Sequence, residues 1–196
     1  MPLDEVKKYP GGKVFDVTPQ FVEPGRPEAT GRFAVAPPDV VAELAEVAAE
    51  SVEPGRYVSS GRVFSHLLTS RRMREVLNST YHDLPGIRRR RPYNPAYMNP
   101  VDLAAQGLKS GDRVEIVSDH DRIPAIVQAD NTLRPGVVSM THAWGGMPGE
   151  ETDFEKEGSA TNALVSTDHH CEPINAMPRQ SAIPVNILPL KPASHS

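Results

Sequence analysis

The stretch Pro95–Trp144, PAYMNPVDLAAQGLKSGDRVEIVSDHDRIPAIVQADNTLRPGVVSMTHAW, leaves room only for short elements. Asn99 before Pro100 is a helix start: an amide oxygen that can accept from an early backbone N–H, then a ring already set at a helical φ. Gly107 supplies a left-handed stop, so a helix is predicted over Pro100–Gln106. From Arg113 to Ser118, Val114 and Ile116 alternate with Arg113 and Glu115, the period of a half-buried strand. Ile123–Ala129 and Val137–Met140 are expected to be its partners, the second opened by Arg134-Pro135-Gly136. Side chains able to do chemistry then gather in Thr141-His142-Ala143-Trp144-Gly145-Gly146.

The rest of the composition excludes several classes. A chain of 196 residues can bury one core and carry an appendage. Its net charge of −4 gives no bulk attraction for nucleic acid. No apolar run approaches the ~20 residues of a membrane-spanning helix. Met1-Pro2-Leu3-Asp4-Glu5 has neither the basic nor the apolar region of a signal peptide, so a cytoplasmic location is expected. Cys171 is the single cysteine, which rules out an internal disulfide and a cysteine-ligated iron–sulfur cluster built by this chain alone.

Residues 1–57 read as a lead-in. Twenty prolines punctuate the chain, and Pro10, Pro19, Pro24, Pro27, Pro37 and Pro38 crowd its first part. The pentapeptide VEPGR at Val22–Arg26 and Val52–Arg56 is reused turn chemistry. One helix is predicted there, Pro38–Ser51, with Val40, Val41, Leu44, Val47 and Ala48 as its apolar stripe.

Val63–Thr69 alternates as a strand and runs into Thr69, Ser70, Arg71, Arg72 and Arg74, with Asn78 and Ser79 beyond. Hydroxyls and planar guanidinium groups match the oxygens of an anionic ligand in number and geometry. Arg88–Arg91 is denser in charge, but four adjacent side chains cannot all point one way, and the expectation is a solvated run. The acidic segment Gly149–Glu157 is expected to be a solvated loop. Asp168-His169-His170-Cys171-Glu172 contains only potential metal ligands, yet neighbours in sequence rarely converge on one ion, and no metal site is expected. Trp144 can be a core residue or a cover for a flat heterocycle, and His142 a surface histidine or a hydrogen-bonding partner.

NPVDLAAQGLKSGDRVEIVS followed by RPGVVSMTHAWGG resembles the C-terminal molybdopterin dinucleotide-binding domain of the molybdenum and tungsten oxidoreductases, the family of formate dehydrogenases, nitrate reductases and dimethyl sulfoxide reductases. The resemblance implies a mainly β fold with short helices, a double-psi β-barrel of the aspartate decarboxylase type over residues 58–190, with residues 191–196 as a tail. It implies a molybdopterin guanine dinucleotide cofactor, met by Thr69, Ser70, Arg71, Arg72, Asn78 and Ser79 after the first strand and by His142 and Trp144 after a later one. It adds Asn162, in GSATNALV, where Val165 replaces the threonine common in the family, and Arg179 and Gln180 at the entry to the last strand. The metal, molybdenum or tungsten, would be held by the cofactor and by a ligand in another part of a larger formate dehydrogenase-like oxidoreductase, whose remaining domains or subunits are the expected partners. No catalytic residue is therefore assigned to this chain. The alternative is a barrel that docks an anionic partner through its arginine-rich turns without cofactor or catalysis.

Overall fold

The computed structural model describes residues 2–19, 35–50, 56–146, 152–168 and 170–190. The chain divides into two compact units, Met1–Ala36 and Pro37–Ser196. The first unit holds a single-turn helix, α1 (Leu3–Val6), and the ring of Tyr9, which meets Phe15 edge-on at 5.7 Å with the Lys13 ammonium 4.2 Å above it. The sequence predicted no helix before Pro38; α1 begins at a proline-set turn and carries Asp4 and Glu5 at its N-terminal end, where the helix dipole favours them. Both VEPGR pentapeptides, apart from Arg56, lie outside the described residues.

The second unit begins with α2 (Pro38–Ala49), close to its predicted bounds. None of its residues is buried, and Val41, Leu44 and Val47 of the predicted stripe are exposed. A small hairpin follows, β1 (Tyr57–Ser59) against β2 (Arg62–Phe64). Then come β3 (His66–Arg71), α3 (Pro85–Arg90), β4 (Ala96–Met98), α4 (Pro100–Ala105), β5 (Arg113–Val117), β6 (Arg122–Ala129), β7 (Val137–Thr141), the one-turn α5 (Phe154–Glu157), a 3-10 turn (Thr161–Leu164) and β8 (Ile183–Pro189).

Six strands close into a barrel in the order β3-β7-β4-β6-β5-β8, with β8 returning to β3. Two pairs are parallel, β3 with β7 and β4 with β6, and the rest antiparallel. This is the mixed, closed barrel that the double-psi expectation requires. Alternation does the filling: Leu68, Val138, Met140, Ala96, Met98, Ile123, Ala125, Val127, Val114, Ile116, Ile183, Val185 and Ile187 all point inward into one cluster. Leu164, from the 3-10 turn, is 1% exposed and stops one end. Burying a leucine so fully contributes about 2 kcal/mol.

The helix start is built as its residues dictate. The Asn99 side chain accepts from Val101 N–H at 2.8 Å and donates to the Leu133 carbonyl at 2.7 Å, tying α4 to the turn before β7. Gly107 has φ +67. Asp102 on α4 accepts from Gly136 N–H at 2.8 Å and so fixes the Arg134-Pro135-Gly136 turn.

Four local expectations need correction. Val137–Thr141 does not pair with Arg113–Val117; it lies between β3 and β4, because parallel pairing with β3 needs the long crossover that the intervening helices supply. The strand expected over Val63–Thr69 is two strands broken at Ser65, whose N–H donates to the Asn186 side chain. Ala96–Met98, too short to show a period, is a strand. The acidic segment, in its described part, turns into α5, where the Asp153 carboxylate accepts from Glu155 N–H and Arg113 pairs with Glu155.

Candidate functional site

β3 and β7 run parallel, so their C-terminal ends share one end of the barrel, where antiparallel β8 begins. A cleft of about 430 Å³ opens there. Leu68, Val165, Pro178 and Ile183 give it apolar walls; Ser70, His142, Thr161, Asn162, Thr167 and Gln180 supply polar groups. Four of the residues singled out from sequence, Ser70, His142, Asn162 and Gln180, meet here from four separate segments.

A buried amide holds two of these segments together. Asn94, 2% exposed, donates from Nδ2 to the carbonyls of Thr141 (2.7 Å) and Ser159 (2.9 Å) and accepts at Oδ1 from Ser159 N–H (2.8 Å). It thereby links the residue before His142 to the strand leading into Asn162. Two glycines make room for this link. A Cβ on Gly158 would lie 2.4 Å from Asn94 Oδ1, and one on Gly145 would lie 2.6 Å from the backbone nitrogen of Ala160; both glycines have positive φ. Between them Ala143 sits at φ 64, a left-handed backbone that sends His142 to the cleft and Trp144 to the interior. Strain of this kind in a non-glycine residue is a mark of sites where geometry is held against local preference. Sequence reading passed over Asn94, since an asparagine before a proline reads first as a turn.

On the opposite rim Leu77 and Thr80 close a tight turn by exchanging backbone hydrogen bonds, with Asn78 at φ 53 and exposed Ser79 as its two central residues. Asn78 Oδ1 accepts from Arg72 Nη1 at 3.2 Å and lies 3.0 Å from His142 Nε2. Ser70 Oγ donates to the Gln180 carbonyl at 3.3 Å, and Thr69 Oγ1 shares a hydrogen bond with Ser181 Oγ at 2.9 Å, so β3 is buttoned to the segment entering β8.

Three predicted residues sit elsewhere. Arg71, expected in an exposed turn, is the last residue of β3 and lies on the outer wall, 2.9 Å from Asp130 and 4.2 Å above the Tyr97 ring. The Thr132 hydroxyl, then Arg71, hold the Asp130 carboxyl below the usual range. Trp144, 4% exposed, packs with Met73, Val76 and Ile87 and tilts against the His82 ring at 5.3 Å. It is a core tryptophan rather than a cover for the cleft. Arg179 pairs with Glu50 at the end of α2. The four arginines Arg88–Arg91 are exposed along and after α3, as expected. In the Asp168–Glu172 segment, His170 Nε2 lies 2.8 Å from Ser59 Oγ, Cys171 donates to the Thr167 carbonyl and Glu172 accepts from the backbone of Ile174 and Asn175. These ligating atoms diverge, and among the described residues no group of His, Cys, Asp and Glu is placed to hold a metal.

A closed mixed barrel whose end carries a half-apolar cleft, rimmed by two side-chain amides, an imidazole and hydroxyls, defines a domain that binds a flat, hydrogen-bonding heterocycle. Residues 66–184 match the family described as Molydopterin dinucleotide binding domain, and the chain belongs to that family. It is 30% identical to the tetrathionate reductase of Salmonella typhimurium over 70 residues, 36% of this chain and 7% of that protein. The fold is that of a domain in acetylene hydratase from Pelobacter acetylenicus, with a TM-score of 0.55 and 20% identity over 64% of this chain and 18% of that one. The chain thus spans a small part of the length of both relatives. It is a molybdopterin dinucleotide-binding domain of the molybdenum and tungsten oxidoreductase family, with molybdopterin guanine dinucleotide as its cofactor. The residues present fit that group: an apolar floor for a ring, amides and an imidazole for its edges. The cofactor supplies redox chemistry at its metal when bound; the protein's contribution is orientation and electrostatics.

Proposed function

We propose that this chain forms one wall of the cofactor site in a larger oxidoreductase of the formate dehydrogenase type, working with further domains or subunits that supply the remaining metal ligand. The convergence of Ser70, His142, Asn162 and Gln180 on one cleft carries this reading. Asn162 offers both a donor and an acceptor to a heterocycle edge, His142 a second polar contact and Ser70 a hydroxyl, while Leu68 and Ile183 exclude water from the ring face. Thr69, Arg72, Asn78, Ser79 and Gln180 complete the rim on this reading. The likeness of NPVDLAAQGLKSGDRVEIVS and RPGVVSMTHAWGG to the formate dehydrogenase group supports the enzyme type, and the small share of each relative that the chain spans supports the need for partners.

Titration calorimetry of the chain with GDP and with a free pterin tests the cleft. Asn162→Ala and His142→Ala should each weaken binding about tenfold, the loss of one or two hydrogen bonds. Binding unchanged in both variants would place the cofactor elsewhere. Assay of the assembled enzyme with formate, nitrate and sulfoxides tests the enzyme type, and turnover with nitrate or sulfoxide but not formate would overturn that part.

A further inference from the structure

Arg72 can only donate hydrogen bonds, since every polar hydrogen of a guanidinium is an N–H and none of its nitrogens accepts. The Asn78 atom that faces Arg72 Nη1 at 3.2 Å must therefore be the amide oxygen, and the amide cannot turn over without setting donor against donor. His142 Nε2 lies 3.0 Å from that same oxygen, so Nε2 must carry the proton. In a neutral imidazole the other nitrogen, Nδ1, is then a bare acceptor. Nδ1 makes no hydrogen bond among the described residues, while the His142 side chain lines the cleft.

We infer that Arg72 and Asn78 act on the ligand through His142: they hold it as the Nε2–H tautomer, so that Nδ1 accepts from an N–H on the ligand's heterocycle. This rests on the cofactor reading of the cleft and sharpens it. A phosphate oxygen has no hydrogen to give at neutral pH, so this histidine does not serve the pyrophosphate. The amino-oxo pyrimidine edge, with its ring N–H and exocyclic amine, is common to guanine and pterin, and either end of the dinucleotide can present it. Arg72 is thus a positioning residue. Its guanidinium spends a hydrogen bond on Asn78, and its effect on affinity passes through the imidazole. The turn geometry belongs to the same device: Asn78 is held at φ 53, a conformation asparagine tolerates better than most residues, which keeps its side chain between Arg72 and His142.

The test has two readouts on the full chain. The first is the tautomer itself, read from the two-bond nitrogen–proton correlations of the His142 ring in labelled protein near pH 8. The parent should show protonated Nε2 and bare Nδ1. Asn78→Gly keeps the left-handed backbone but removes the amide, and Arg72→Met frees the amide to turn; both should give a tautomer mixture. Asn78→Asp retains an oxygen for both donors and should restore the parent pattern. The second readout is affinity for GDP and for 6-hydroxymethylpterin by calorimetry. Whichever probe occupies this end of the cleft should bind about tenfold more weakly to Asn78→Gly and to Arg72→Met, with Asn78→Asp near the parent. A parent His142 protonated at Nδ1 would overturn the inference, as would undiminished binding by both disrupted variants. If the parent shows the expected tautomer and binds neither probe, the cofactor reading of the cleft fails, and the assignment of its ligand with it.

Discussion

His66 is 5% exposed, shares its Nδ1 with Ser65 Oγ at 2.8 Å, and has Nε2 facing Asp102 at 3.8 Å without a hydrogen bond. Burial lowers its pKa from 6.5, against the pull of the Asp102 charge. The unfolded chain therefore takes up this proton first as pH falls, and stability declines from about pH 6.5 downwards until folded His66 also protonates. Thermal melts between pH 8 and 5 should show this loss, and His66→Asn, less stable at pH 8, should show a shallower acid-side slope. An equal slope in both would assign the loss to other groups. Arg71 calls for a different measurement. Because it pairs with Asp130 over the Tyr97 ring, Arg71→Ala should cost about 1 kcal/mol of stability while leaving GDP and pterin affinity unchanged. A drop in affinity with no change in melting would return it to the ligand site.

At the scale of elements, the link between the end of β7 and the 3-10 turn decides whether the cleft keeps its shape. Asn94→Leu strands the Ser159 N–H and two carbonyls in the interior, and should destabilise by about 3 kcal/mol or more. Gly158→Ala drives a methyl into Asn94 Oδ1 from a backbone at φ +73 and should do similar harm, whereas Ala143→Gly, relieving a left-handed alanine, should stabilise by about 0.5 kcal/mol. Denaturant titration ranks all three, and an Asn94→Leu as stable as the parent would refute the linking role. This link is also where the sequence was least readable. The capped α4, its Gly107 stop and the strands at Arg113 and Ile123 are local events, written in caps and alternation, and they stand where expected. Asn94, the three-residue β4 and the β3–β7 pairing depend on residues dozens of positions away, and no local pattern signals them. Trp144 illustrates the limit at a single position. Its neighbour His142 lines the cleft, but one left-handed alanine between them turns the indole into the core.

For the molecule as a whole, the ordered set of turns and caps gave the barrel through resemblance, while its closure followed from register that only the folded chain displays. The described residues offer the cofactor amides, hydroxyls and an imidazole and no clustered metal ligands. The isolated chain should therefore show no turnover with formate, nitrate or sulfoxides, and activity that tracks the chain through repurification would contradict the proposed division of labour.

The seam of the barrel is the pairing of His66–Leu68 with Ile183–Val185. A ribosome that has released β3 must make more than a hundred further residues before its antiparallel partner exists, so the barrel stays open through nearly all of synthesis. Contacts this distant in sequence form late and slowly. Cofactor loading is tied to that moment: Leu68, Ser70, Gln180 and Ile183 stand on the two sides of the seam, and until it shuts they face no common space. A chain stopped before Ile183 loses its cleft and its core together, which makes retention of the dinucleotide a check on complete translation.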